Sequence, residues 1–125
     1  MTETRAQRGQ HIVDAIAGPR AAAPLEDWEQ VAPGMGALIR DFIAGDVLAR
    51  EGLELKTRQL LTVVILAAQR ADDELAMHLR GAIRLGWTSR EIGEALVQVA
   101  PFAGFPACLG ALKTFKQVLE EAADT

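Results

Sequence analysis

From Leu60 to Ala68 every residue is apolar except Thr62. Leu, Ile and Ala outnumber turn formers there, so the run predicts a helix buried on nearly all sides. It is far too short to cross a membrane, which takes about 20 apolar residues. The run belongs to a longer stretch, 56–86, that continues through an acidic turn at Asp72 and Asp73 into a segment carrying Glu74 and His78. Four positions apart on a helix, Glu74 and His78 share a face and come within reach of each other. They are the one pair in this sequence suited to acid/base chemistry.

The rest of the composition narrows the fold class. Half of the 125 residues are hydrophobic, enough for the core of a single domain spanning 1–125. Aromatics make up only 5% and Tyr is absent, whereas Ala and Leu abound. Such a mixture builds closely packed helices rather than sheets, so an all-α fold is expected. The net charge is -4, with 17 acidic against 13 basic residues and no basic cluster, which argues against a nucleic-acid partner. Cys108 is the sole cysteine and has no internal disulfide partner, and the segment from Met1 to Gln10 is polar, unlike a secretory signal. A cytoplasmic protein without membrane association is the simplest expectation.

Taken in order, Met1 to Arg8 read as frayed, and Ile12, Val13, Ile16 and Ala17 as a short amphipathic helix stopped by Gly18 and Pro19. Leu25 to Val31 supports a second short helix ended by Pro33 and Gly34. Leu38, Ile39, Phe42 and Ile43 recur at helical spacing, with Asp46 to Gly52 as the loop into the central helix. Gln69 to Ala71 forms a corner, after which Asp72 and Asp73 cap a helix striped by Leu75, Leu79, Ala82 and Ile83 and closed by Gly86. Thr88 and Glu91 have capping-box spacing, so Ser89 to Ala100 starts another helix, which Pro101 ends or kinks. Gly104, Phe105 and Pro106 turn the chain into a last helix carrying Leu109, Leu112, Phe115 and Leu119.

Three ordered blocks then stand out: Arg50-x-Gly52-Leu53 leading to Thr57-Arg58, Glu74-Leu75-x-x-His78-x-Arg80, and Gln98-Val99-Ala100-x-x-x-Gly104-x-Pro106-Ala107. With these blocks the chain resembles the carboxymuconolactone decarboxylase family from about Gly9 to about Glu120. The resemblance implies a compact helical bundle of the alkylhydroperoxidase D-like type. It also implies cofactor-free chemistry and a ring of subunits, a trimer or hexamer, with sites near subunit boundaries. The peroxidase branch of that fold needs a Cys-x-x-Cys pair, one thiolate to attack the peroxide and a second to resolve it. Ala71 and Glu74 stand at those two places, so peroxidase chemistry is excluded, and a glutamate at position 74 matches the decarboxylase branch. Two differences bear on the substrate. Val13 and Asp14 stand where the decarboxylases carry a basic pair, and Phe42, Ala44, Leu48 and Phe102 replace larger or hydroxylated aromatics. Together these imply a substrate bulkier and less anionic than carboxymuconolactone.

An imidazole ordinarily titrates near neutral pH, so His78 is read either as a proton donor or acceptor or as a core histidine hydrogen-bonded to structure. The Glu74 carboxylate favours its imidazolium form while burial opposes it, and the neighbour is expected to prevail if the pair faces a wet pocket. Glu74 orients and charges His78, acts as an acid itself, or is a surface pair. Gln59, at the position of the peroxidase branch's catalytic glutamate, can bind or orient but cannot titrate. Arg40, Phe42, Phe102 and Phe105 complete the candidate substrate-binding set, though such aromatics are more often core or interface. Arg80, about 200° round the helix from His78, reads as a structural or interface ion pair. One His and one Glu fall short of the three protein ligands of a catalytic zinc, and His11 is distant and solvated, so no metal is expected. The reading is a cofactor-free decarboxylase-like lyase acting on a small carboxy-lactone or related carbonyl compound. The alternatives are an isomerase or cyclase using the same pair, or a non-catalytic oligomer that binds a ligand.

Overall fold

The computed structural model describes residues 2–124, and among these every regular element is helical. The chain forms two compact units, Met1–Leu55 and Lys56–Thr125. No helix among the described residues is long and apolar enough to cross a membrane.

In the first unit, helix α1 spans Arg5–Ala17 and starts earlier than the apolar pattern alone indicates. The reason is a capping box: the Thr4 hydroxyl accepts from the Gln7 amide at 3.1 Å, and the Gln7 side chain accepts from the Thr4 amide at 2.9 Å. Thr4 to Arg8, expected to fray, are thereby ordered, whereas Met1 lies outside the described residues, and Arg5 goes on to bind Asp46 at 2.6 Å. Helix α2 (Ala23–Glu29) ends in a turn closed by its own Glu29, whose carboxylate accepts from the Gly34 and Gly36 amides at 2.8 and 2.9 Å. A single turn, α3 (Met35–Ala37), runs straight into a π-helix, Leu38–Leu48. The wide i to i−5 ladder persists to the end, where the Ala49 amide donates to Ala44 at 3.0 Å, so the loop predicted from Asp46 begins only after Leu48. The π-helix packs on α1, and the buried Gly9, Val13, Ile16 and Ala17 meet the buried Ala44 and Gly45.

In the second unit, α4 (Leu55–Gln69) and α5 (Asp72–Arg84) are joined at Arg70, a non-glycine residue with φ 59°. The α5 N-cap is Ala71, which offers no side-chain acceptor. Asp72 and Asp73 lie inside the first turn and act on the helix dipole rather than as caps. Gly86, with φ 104°, reverses the chain into the predicted capping box, in which Thr88 accepts from the Glu91 amide at 3.1 Å and Glu91 from the Thr88 amide at 2.9 Å. Helix α6 (Ser89–Val97) breaks at Gln98, and α7 (Val99–Ala103) follows with Pro101 in its first turn, where a missing amide costs little. Gly104, with φ 96°, then turns the chain into α8 (Phe105–Ala123).

The core of this unit draws on all five helices: Val63 and Ala67, Leu75 and Leu79, Ile92 and Leu96, Val99, and Ala111 with Phe115. Cys108 is buried among them and its thiol donates to the Leu96 carbonyl at 3.3 Å. Trp87 packs against the same core and donates from Nε1 to the Lys56 carbonyl at 2.7 Å, with the Lys56 ammonium 4.5 Å above its ring. Arg80 pairs with Glu121 at 3.2 Å, the structural role expected for it.

The prediction that the central helix is buried on nearly all sides does not hold within the chain. Only Gln59, Val63 and Ala67, one stripe at i, i+4 and i+8, are buried on α4, while Leu61 and Ile65 remain 45% and 55% exposed. The other helices of this unit cover a single face of α4, and an apolar run cannot reveal how many faces find a partner.

Candidate functional site

Two helices of the second unit bring the candidate chemistry together. On α4, the stripe that faces the core begins with a polar residue, Gln59, whose side chain is completely buried. On α5, Leu75, Leu79 and Ala82 are fully buried, and His78, beside them, keeps part of its surface open. The Gln59 Nε2 group lies 3.0 Å from His78 Nδ1 and donates to the His78 backbone carbonyl at 2.8 Å. A helical carbonyl has a second lone pair beyond its intrahelical bond, and Gln59 uses it. Its other polar atom, Oε1, is buried without a hydrogen-bond partner. Leaving such a group unpaired costs about 1–3 kcal/mol, so the contact with His78 is maintained against a penalty.

Burial pushes the His78 imidazole below its ordinary value, and the Glu74 carboxylate, which pulls the other way, does not offset it. The expectation that the neighbour prevails is therefore reversed. Glu74 is exposed in the first turn of α5, where charge decays into solvent, whereas the ring is packed against helices. The residue that touches the imidazole is Gln59, and Glu74 reaches it through charge alone. The Gln59 contact was legible in principle: a lone amide four residues before Val63 and eight before Ala67 lies on the buried stripe.

The other candidates fall elsewhere. Arg40 and Phe42 belong to the Met1–Leu55 unit, where the Arg40 guanidinium is held by the adjacent Asp41 at 2.7 Å and Phe42 lines a shallow cleft with Arg5, Leu38 and Asp41. Phe102 and Phe105 flank the α7–α8 corner and are 83% and 69% exposed, so neither is a core residue within the chain. Val13 and Ala44, two of the positions where this chain departs from the decarboxylases, are buried in the contact between α1 and the π-helix. Within their unit they fill helix packing rather than line a cavity, and the inference that Ala44 enlarges a pocket does not follow. Asp14 is exposed and accepts from Gln10 at 2.9 Å, and Leu48 and Arg50 line an open cleft with Arg8 and His11. His11 itself is exposed and 2.5 Å from Glu3, and no cluster of metal-binding side chains occurs among the described residues.

Comparison with known proteins brings this geometry to a family. The chain is 38% identical to nitrosuccinic acid decarboxylase of Metarhizium robertsii over 87 residues, which are 70% of this chain and 61% of that protein. The match thus spans less than two thirds of that relative's length. It is 31% identical over 123 residues to 4-carboxymuconolactone decarboxylase of Acinetobacter baylyi, covering 95% of this chain and 90% of that one. An uncharacterized 15.0 kDa protein of Paracoccus denitrificans is 33% identical over 117 residues, 92% of this chain and 87% of its own. Residues 33–117, which include Gln59, Glu74 and His78, match the model of the carboxymuconolactone decarboxylase family. With most of its length matched in that way, the chain belongs to the carboxymuconolactone decarboxylase family.

Proposed function

We propose that this protein is a cofactor-independent lyase that removes carbon dioxide from a small carbonyl or comparably electron-withdrawing substrate, with His78 donating a hydrogen bond to the developing oxyanion and Glu74 carrying the proton. When the carbon–carbon bond to the departing carboxylate breaks, its electron pair must come to rest on an oxygen, as an enolate or its equivalent, before carbon is protonated. A lactone carbonyl and a nitro group, the features in the names of the two decarboxylase relatives, share that capacity. A substrate of this kind carries its own electron sink, so the protein needs to supply only a hydrogen-bond donor for the oxygen and a route for the proton. His78 is the donor. Glu74, exposed one turn before it, passes the proton from solvent to carbon.

The observation that carries this reading is the His78 imidazole, partly open to solvent, held from within the core by Gln59 at 3.0 Å. Purely structural packing would not require a buried amide with one orphaned oxygen to hold it. Phe102 and Phe105, exposed at the α7–α8 corner, are the proposed substrate contacts of this unit, and the completely buried Gln59 acts on the substrate only through His78. The charge beside His78 is acidic, from Glu74, which supports a substrate with fewer carboxylates than carboxymuconolactone.

The protein is further proposed to act as a homo-oligomer, a trimer or hexamer. Leu61 and Ile65 on α4, with Val97, Phe102, Phe105 and Leu109, leave more apolar surface exposed than a small monomer ordinarily carries, and burial between copies removes it from water. Light scattering that finds a stable monomer at micromolar concentration would reject this part. For the chemistry, carbon dioxide release is measured with 4-carboxymuconolactone, nitrosuccinate and less charged analogues. His78→Ala and Glu74→Gln are expected to leave folding intact and to lower kcat/KM by at least about 100-fold, the ordinary worth of an oxyanion hydrogen-bond donor and of a general acid. Turnover unaffected by both substitutions would remove the pair from the mechanism. Efficient turnover of 4-carboxymuconolactone would overturn the inference of a less anionic substrate.

A further inference from the structure

We infer that Gln59 is a positioning residue that locks His78 in its Nε2–H tautomer, so that the ring nitrogen turned away from Gln59 presents a hydrogen-bond donor and not a base. The argument begins at the His78 backbone carbonyl, which can only accept. Gln59 lies 2.8 Å from it, so the amide must present its NH2 there. The opposite orientation would set the amide oxygen against the carbonyl oxygen and leave both without a donor. That NH2 has two hydrogens, and the second is directed at Nδ1, 3.0 Å away. Nδ1 must then offer its lone pair, and a neutral imidazole with an acceptor at Nδ1 carries its proton at Nε2.

The orphaned Gln59 Oε1 belongs to the same arrangement. Turning the amide over would place its NH2 where Oε1 now lies, but only by facing two acceptors together at the carbonyl. The lone buried oxygen is what this orientation leaves behind. Double protonation of His78 is opposed for the same reason, because an Nδ1–H would point at an NH2 that cannot rotate away. Packing that already disfavours the charged ring acts in the same sense.

The consequence deepens the lyase reading and rests on it for the identity of the substrate, although the tautomer itself does not. A neutral Nε2–H is a poor proton donor to carbon but a good hydrogen-bond partner for an oxygen gaining negative charge. The substrate class that fits is one whose developing oxyanion, from a carbonyl or nitro oxygen, lies at Nε2. The proton delivered to carbon comes by another route, through Glu74 and solvent.

The test uses the full chain labelled with 15N-histidine, with His11→Gln removing the second histidine signal. Two-bond nitrogen–proton spectra are recorded above the His78 titration midpoint. The expected spectrum has an unaveraged pyridine-type Nδ1 and a pyrrole-type Nε2, whereas a free imidazole exchanges between tautomers and shows averaged signals. Gln59→Glu offers only acceptors and is expected to draw the proton to Nδ1, inverting the pattern or producing imidazolium. Gln59→Met, of similar size, removes the NH2 and should restore averaging; it decides the matter if the glutamate variant does not fold. A pyrrole-type Nδ1 in the unsubstituted ring, averaged signals there, or an unchanged pattern in Gln59→Met would overturn the lock. The expected pattern without any lyase turnover would leave the lock standing and reject the lyase reading. Turnover with averaged signals would do the reverse.

Discussion

Gly9 of α1 packs directly on the backbone carbonyl of Arg40 in the π-helix, so closely that an added Cβ would fall within 2.6 Å of the carbonyl carbon. The obstacle is backbone, which cannot rotate aside as a side chain would. Gly9→Ala sets a helix-propensity gain of up to about 1 kcal/mol against the overpacking. Forced overpacking costs about 1–3 kcal/mol and occasionally more, so the clash is expected to win. Denaturant unfolding should show the Met1–Leu55 unit destabilised by that order. A variant as stable as the parent would mean that the two helices are not in this contact.

Because burial outweighs Glu74, His78 should titrate below the ordinary histidine range in an NMR pH series. The sign for stability follows from proton counts. As pH falls below about 6.5 the unfolded chain takes up a proton that folded His78 resists, so stability is lost on the acid side until the folded value is passed. Activity that uses neutral His78 should be level above that window and decline below it. A His78 midpoint above 6.5 would show that the carboxylate prevails after all.

Thr88→Ala removes the acceptor for the Glu91 amide and frees the Glu91 side chain from its reciprocal bond. Loss of such a cap costs about 1 kcal/mol, and Thr88→Ser should recover most of it. Thermal unfolding of the two variants side by side makes the comparison. Equal losses for Ala and Ser would point to the threonine methyl rather than the hydroxyl.

Trp87→Phe keeps the packed ring but deletes the 2.7 Å bond to the Lys56 carbonyl at the start of α4. The carbonyl keeps its bond within α4, so the expected loss is the net worth of one hydrogen bond, about 0.5–1.5 kcal/mol. The variant should also shift the remaining emission toward that of exposed Trp28, since Trp87 supplies the half-buried signal. A neutral substitution would mean that solvent replaces the indole donor without penalty.

Much of this was readable from the residues because it rests on local rules. The Thr88 box, the corner at Gly104 and the stripe of Leu75 and Leu79 are set by spacing within a turn or two, and each appears as predicted. The early start of α1 is equally local, set by the Thr4 and Gln7 pair, but the apolar residues that mark a helical face begin only at Ile12. The π-helix from Leu38 to Leu48 was not legible, because its apolar residues also satisfy α-helical spacing and only packing on α1 distinguishes the two ladders. At the site, the i to i+4 pairing of Glu74 and His78 was visible. The decisive contact joins residues 19 apart in the chain and depends on which faces of α4 and α5 meet. A period identifies a face but not the face opposite.

Cys108 turns the second unit into its own reporter. Its thiol is buried and engaged with the Leu96 carbonyl, which ties α8 to the end of α6. A thiol reagent can reach it only when those helices part, and no other cysteine in the chain competes for label. The labelling rate in native buffer therefore measures how often this core opens, without a denaturant and without an engineered probe. Whatever later binds beside His78 and steadies α5 against α8 will register as slower labelling at a sulfur that takes no part in the chemistry.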